Sequence, residues 1–200
     1  LVGDYLFVSK YSYGYSKYSF PFGILPIKNR LIYDVPNRGD IIVFRKPGDE
    51  QVDYIKRLIG LPGDSVQLVD GRLYVNDKLV KRKKTNMGQI SKTDGSKINL
   101  TEYEENIFNS KTYKIIEASD NDFFDNTIKF SVPKDNYFFM GDNRDNSKDS
   151  RASEVGFVPK INLIGKAQII FFSHNGSARF YEFWKWPDLI RFSRIGKKIE

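Results

Sequence analysis

The chain has 200 residues, 40% of them hydrophobic, which is enough for one substantial domain or for a core domain with an insertion. Its net charge of +7 permits nucleic acid, an anionic membrane surface or acidic partners, and does not choose among them. The sequence contains no cysteine and a single histidine, His174, which excludes disulfides, thiolate nucleophiles and zinc sites of the usual cysteine and histidine kind.

Short runs rich in Val, Ile, Phe and Tyr recur between Gly, Pro, Asn and Asp residues. This pattern predicts a mainly β fold with predominantly antiparallel sheets. The runs are, in chain order, DYLFVSK, DIIVFRK, DYIKRLIGL, SVQLVDGRLYV, TYKIIEA, NTIKFSV, NYFFMGD and GKAQIIFFS. Asp70-Gly71 predicts a tight hairpin, because this pair tolerates the positive backbone angles of a type I′ turn.

The middle of the chain changes character at about residues 76 to 130, where KRKK is followed by a polar segment and then by the acidic SDNDFFDN. We interpret residues 65–133 as an inserted β subdomain or long hairpin between the two parts of a core domain, 1–64 and 134–178. Its blocks of opposite charge are more typical of solvated surface than of a binding site.

The tail, residues 179–200, contains both tryptophans of the chain. Apolar residues after Pro187 recur at spacings of three and four, and basic residues form a stripe between them, which predicts an amphipathic helix. Such a helix would lie at a bilayer interface or pack on the protein's own core. No apolar stretch of about 18 residues occurs, so any membrane anchor is expected to precede Leu1.

Two residues with side-chain amine or imidazole groups, Lys56 and His174, lie within or at the end of apolar runs. Lys56 interrupts the apolar run DYIKRLIGL, and on a strand it shares a face with Tyr54 and Leu58. From this run alone, an exposed edge strand carrying a solubilising lysine is the simplest interpretation. His174 ends the apolar run FFSHNGS and is interpreted as a strand-end or loop residue, so a hydrolase built from this chain would use another base.

The segment GDNRDNSKDSR, residues 141–151, has the composition of a loop. It also holds three aspartates, two arginines and two serines, more hydrogen-bonding capacity than a plain turn uses. Such a loop can organise a functional site.

Four segments, LVGDYLFVSKYSYG, RGDIIVFRKP, DYIKRLIGLPGD and GDNRDNSKDSR, resemble successive motifs of the bacterial type I signal peptidase, or leader peptidase, family in the family's order. With their flanks they cover residues 1–64 and 134–173, whereas the resemblance is weak across 65–133. The resemblance implies an antiparallel β catalytic core, a serine endopeptidase that uses a serine and lysine dyad, and no cofactor or metal.

The resemblance also assigns roles to individual residues. It makes Lys56 the general base and Ser147 the residue that orients the lysine amine. The nucleophilic serine belongs to a motif that directly precedes Leu1, and is therefore expected outside these 200 residues. The resemblance further implies two supporting ion pairs, Arg57 with Asp142 and Asp149 with Arg151.

The chemistry of a lysine base sets a requirement on its surroundings. An unperturbed lysine has a pKa of about 10.4, so the amine must be buried among apolar groups to be neutral when it takes a serine proton. An extended signal-peptide end could add to the edge formed by Asp53, Tyr54 and Ile55, with Tyr5 and Ile55 lining shallow pockets.

The partners implied are the signal peptides of exported precursor proteins and a lipid surface, with the catalytic domain on the periplasmic or extracytoplasmic side of a bacterial cytoplasmic membrane. A monomer that does not bind nucleic acid is expected. Two alternatives stay open: a non-enzymatic basic β-domain that binds nucleic acid or anionic lipid through KRKK and the aromatic residues, and an inactive or dedicated-precursor relative of the peptidases.

Overall fold

A computed structural model describes residues 3–19, 30–91, 97–108, 111–174 and 189–199, and its regular structure is almost entirely β. In chain order the strands are β1 Asp4–Ser9, β2 Ile41–Arg45, β3 Asp53–Gly60, β4 Ser65–Val69, β5 Arg72–Val75, β6 Lys78–Leu79, β7 Lys81–Ser91, β8 Lys97–Ile107, β9 Lys111–Glu117, β10 Phe130–Ser131, β11 Asn136–Met140, β12 Val158–Pro159 and β13 Leu163–Ser173. Short 3-10 helices follow β12 and β13, at Lys160–Asn162 and Phe192–Arg194. In this part of the chain no helix is long and apolar enough to cross a membrane.

The strands form three antiparallel sheets, which confirms the predicted fold class. The largest has six strands in the order β1-β13-β2-β3-β11-β12, and the smaller ones follow the orders β10-β4-β5-β6 and β7-β8-β9. All strands of the two smaller sheets lie within 65–133, and all strands of the large sheet lie outside that range.

The second half of β3 is the centre of the core, because its successive side chains enter two apolar clusters. Leu58 belongs to a cluster in which the rings of Phe44 and Phe139 stack with centroids 4.5 Å apart. Ile59, the next residue, belongs to the other cluster, where Phe138 and side chains of the two small sheets surround it. The predicted insertion therefore shares a core with the large sheet, and the division into subdomains remains a proposal.

The hairpin predicted at Asp70-Gly71 is present. Both residues have positive φ, 48° and 68°, and the flanking Val69 and Arg72 are paired across β4 and β5. The local sequence is sufficient to predict this hairpin, since the turn residues and the alternation of apolar residues both indicate it.

The long hairpin predicted for the insertion is also present, as β7 and β8, and KRKK lies at the start of β7. Lys81, Lys83 and Lys84 are exposed, in agreement with a solvated surface, whereas the side chain of Arg82 is buried.

The tail differs from the prediction in its described residues, because they do not continue as an amphipathic helix. After the short 3-10 turn, Gly196 and Ile199 donate backbone hydrogen bonds to Ile170 and Gln168 of β13, at 2.8 and 2.9 Å. Hydrogen bonding to an available strand thus outweighs the helical spacing of the apolar residues. The two tryptophans lie outside the described residues. His174 follows β13 and forms an isolated bridge with Ile190, as expected for a strand-end residue.

Candidate active site

The first half of β3 has an open edge. β2 pairs with the strand along its length, from Arg45 opposite Asp53 to Ile41 opposite Arg57. β11 pairs with β3 only from Arg57 to Gly60, so among the described strands residues 53–56 are paired on the β2 side alone. This edge ends at Lys56.

Lys56 is partly buried at the end of that edge. Its Nζ donates a hydrogen bond of 2.7 Å to Oγ of Ser147, which is 91 residues away in sequence, and lies 5.7 Å from the ring centroid of Tyr54. Burial lowers the pKa of the Lys56 amine below its usual value, and the nearby Asp149 carboxylate opposes this effect only in part. The environment therefore shifts the amine toward its neutral form, which is the form that can accept a proton.

The loop 141–151 approaches Lys56 so closely that its first residue has no room for a side chain. A Cβ atom at Gly141 would lie 2.1 Å from Oγ of Ser147 and 3.5 Å from Nζ of Lys56. The Gly141 N–H donates to Oδ2 of Asp149 at 2.9 Å, which ties the two ends of the loop together. Glycine at this position thus permits the contact between Ser147 and Lys56.

Arg57 lies on the opposite face of β3 from Lys56 and has its own partners. Its guanidinium forms two hydrogen bonds with the Asp142 carboxylate, at 2.8 and 2.9 Å, and donates to the Gly39 carbonyl at 2.8 Å. It also lies 4.1 Å from the ring centroid of Tyr113. The predicted contact between Arg57 and Asp142 is therefore present.

The second predicted contact, between Asp149 and Arg151, is completely buried. Nε and Nη2 of Arg151 donate to the two carboxylate oxygens of Asp149 at 2.9 and 2.8 Å. Nη2 also donates to the carbonyl of Arg144 at 2.6 Å. These bonds fix the backbone on both sides of Ser147.

A groove of about 420 Å³ lies beside Lys56 and Ser147. Its apolar lining comes from four strands and the tail: Leu6, Ile41, Ile55, Ile170 and Ile199. Of the predicted substrate-binding residues, Ile55 lines the groove. Asp53 and Tyr54 lie on the same edge, and Nε of Arg45 pairs with Oδ1 of Asp53 at 2.7 Å.

Tyr5 lies elsewhere. Asp4 and Leu6 line the groove, whereas the Tyr5 ring packs against Phe171 and Phe172. Alternation along β1 accounts for this, since neighbouring residues of a strand face opposite sides of the sheet. The same rule would have pointed to Leu6, but nothing local indicates Ile170 or Ile199, which reach the groove through tertiary packing.

Comparison with known proteins gives one consistent family. A family model described as "Signal peptidase, peptidase S26" matches residues 1–172. A signal peptidase I of Rickettsia typhi is 49% identical over an alignment that covers 100% of this chain and 80% of the relative. For the signal peptidase I of Rickettsia akari the identity is 49%, with 86% of this chain and 66% of the relative covered.

A solved signal peptidase I from Enterococcus faecalis is 27% identical to this chain, covers 66% of it and 97% of the solved chain, and superimposes with a TM-score of 0.38. The family match over most of the chain and the identity to the Rickettsia proteins confirm the resemblance carried by the four motifs. The chain belongs to the signal peptidases of peptidase family S26.

Proposed function

We propose that this protein is a membrane-associated serine endopeptidase that removes signal peptides from exported precursors, with Lys56 as the general base for a serine located before Leu1. The observation that carries the proposal is the partly buried Lys56 amine, held 2.7 Å from Ser147 Oγ at the end of an open strand edge. The family membership supports the peptidase class.

In the proposed mechanism the neutral Lys56 amine takes the proton of the serine hydroxyl as the serine oxygen attacks the scissile carbonyl. The resulting Lys56 ammonium then gives this proton to the leaving amine of the substrate. The neutral Lys56 amine next activates a water molecule, which hydrolyses the acyl-enzyme. Ser147 restricts the rotamers of Lys56 by accepting its hydrogen bond. On the other face of β3 Asp142 is paired with the Arg57 cation, which offsets the tendency of this carboxylate to keep Lys56 protonated.

The proposed substrate binds in an extended form. A peptide strand that adds to the edge at residues 53–55 would satisfy the backbone groups there and would lie along the groove next to Lys56. Ile41 and Ile55 line this part of the groove, which supports small apolar side chains as the residues that precede the cleaved bond. The preference for alanine follows from the family resemblance.

The proposed membrane contact is an exposed aromatic patch formed by Tyr5, Phe7 and Phe171, which are 51%, 58% and 44% exposed. The patch lies on the strands whose other face lines the groove, so a lipid surface bound there would be close to the site. We expect Phe7→Ser combined with Phe171→Ser to weaken sedimentation with anionic phospholipid vesicles, while Phe123→Ser, on a loop apart from the patch, leaves it unchanged. Equal binding by the two variants would argue against this surface.

The base assignment is tested in the protein that includes the upstream serine motif, with a peptide containing Ala-x-Ala before the cleaved bond. We expect Lys56→Ala to abolish cleavage without unfolding the protein, because the serine then has no base. Lys83→Ala, which removes an exposed lysine from β7, serves as the matched control and should cleave normally. Undiminished turnover by Lys56→Ala would refute the dyad.

A further inference from the structure

A buried ion pair joins the inserted sheet to the loop that carries Ser147. Glu105 of β8 and Arg144 of the loop are each 1% exposed. Nη1 of Arg144 donates to Oε1 of Glu105 at 3.0 Å, and its Nη2 donates to the other carboxylate oxygen. Arg144 lies three residues before Ser147 in sequence, and the family resemblance assigned a role to neither residue of the pair.

Backbone hydrogen bonds hold the same part of the loop against β9. The N–H of Ile116 donates to the Asp142 carbonyl at 2.8 Å, and the N–H of Arg144 donates to the Ile116 carbonyl at 2.9 Å. Immediately after β9, the N–H groups of Ala118 and Ser119 donate to Oδ2 of Asp145. Three of the four loop residues 142–145 are thus hydrogen-bonded to the end of β9 or to the residues that directly follow it.

Tyr113 extends the network to the other side of the site. Its hydroxyl donates to Oε2 of Glu105 at 3.0 Å, and its ring lies against the Arg57 guanidinium. Arg57 in turn holds Asp142, the second residue of the loop. Glu105 therefore contacts Arg144 of the loop that carries Ser147 and, through Tyr113, is linked to Arg57, the residue next to Lys56.

The chemistry of the pair suggests orientation rather than stability as its role. Replacing a buried ion pair with apolar residues of similar volume is often neutral or stabilising, because burial of two charges is costly. A bidentate bond between guanidinium and carboxylate does, however, impose a direction that apolar contacts lack. A fully buried pair next to a site is well suited to fix the course of a loop.

We propose that Glu105 is a positioning residue, which acts through Arg144 and Tyr113 to hold the loop 141–147 so that Ser147 meets Lys56. The sheet β7-β8-β9 then contributes to the geometry of the catalytic site. The proposal rests on the proposed function in that Ser147 and Lys56 are taken as members of the catalytic machinery.

The decisive variant is Glu105→Met combined with Arg144→Met, which removes both charges and leaves none unpaired. We expect a folded protein whose kcat falls by about 100-fold, as for a catalytic group displaced by about 1 Å, with little change in KM. The lower-pH limb of the kcat profile should move to higher pH, because a looser loop admits water to Lys56 and the amine regains its charge. Glu102→Gln, on the same strand but in an exposed pair with Lys114, should behave as the unmodified protein.

A second readout does not depend on turnover. The titration of the Lys56 side chain can be followed by 13C NMR at Cε, assigned with Lys56→Arg, and should move to higher pH in the double variant but not in Glu102→Gln. Tyr113→Phe, which removes only the hydroxyl bond to Glu105, should produce a smaller shift in the same direction and covers the case in which the double variant does not fold.

The positioning role would be overturned if the double variant kept both its kcat and its Lys56 titration. If only Tyr113→Phe folds, the same criterion applies to that variant. Failure of the proposed function has a different signature: the Lys56 titration would still respond to Glu105, but Lys56→Ala would cleave the peptide at the normal rate.

Discussion

Neighbouring residues of β3 show how one strand can hold two cations in opposite electrostatic states. Arg57 is buried against a carboxylate and a carbonyl, so its charge is fully paired. Lys56 faces a serine hydroxyl and a tyrosine ring, neither of which is charged, and burial lowers its pKa. The strand pleat separates the two environments, because successive side chains point to opposite faces. A one-residue shift in register would exchange them and remove the proposed base.

Gly141 provides a test of how tightly the contact between Ser147 and Lys56 must be held. In Gly141→Ala the new methyl group would overlap Ser147 Oγ, so the serine must move. We expect kcat to fall by about 100-fold, and the free energy of unfolding by about 1–3 kcal/mol as for an overpacked site. Steady-state kinetics and urea unfolding measure the two effects.

The matched control is Gly88→Ala, at a strand position where nothing lies within 4 Å of the added Cβ. It should change neither quantity by much. A Gly141→Ala protein with normal kcat would mean that the position of Ser147 is not important for the reaction.

At the scale of elements, the parts predicted from sequence are those with local causes. The hairpin at Asp70-Gly71 follows from its turn residues, and the apolar strands β2, β3, β11 and β13 follow from their composition. The individual strands β7 and β8 are polar, and their long ladder is stabilised by pairing with each other, which alternation alone does not reveal. Residues 190–199 do not form the predicted helix, because the periodicity of the tail carries no information about the part of β13, after Lys166, that β2 leaves unpaired.

The hairpin at Asp70-Gly71 can be tested separately from the site. Gly71 has a φ of 68°, so Gly71→Val should lower the free energy of unfolding by about 1–2 kcal/mol, the cost of a left-handed conformation for a residue with a Cβ. Gly71→Asn should lose less, since asparagine tolerates this conformation. Chemical denaturation measures both variants. Equal losses would show that the backbone angle is not the cause, and kcat should be unaffected in each case.

At the scale of the whole molecule, the site depends on contacts that no local pattern contains. The motifs identified Lys56, Ser147 and the two ion pairs through the family resemblance, and the geometry brings these residues together. The groove residues from β13 and the tail, and the pair between Glu105 and Arg144, arise from how three sheets pack. Sequence reasoning failed there because each contact joins elements far apart in the chain.

Glu117 lies where these sheets meet and makes the stability of the molecule depend on pH. Nη1 of Arg82 contacts Oε2 of Glu117 at 2.5 Å and also donates to the carbonyl of Gly71 in the neighbouring sheet at 3.1 Å. Burial raises the pKa of the Glu117 carboxyl from 4.5 to about 7, although Arg82 and Arg144 oppose this effect. Between these values the folded protein holds a proton that the unfolded chain has lost, so stability should fall as the pH rises through this window.

Glu117→Gln cannot ionise and should lack this dependence. Relative to the variant, the unmodified protein should lose roughly 3 kcal/mol of unfolding free energy between pH 4.5 and pH values above 7, with most of the loss complete by about pH 7. Urea unfolding at a series of pH values measures the difference. Glu102→Gln is the matched control. Lys114 lowers the pKa of the half-exposed Glu102 carboxyl, so ionisation of Glu102 has the opposite effect on stability. Parallel stability curves for the unmodified protein and Glu117→Gln would show that Arg82 keeps Glu117 charged throughout this range.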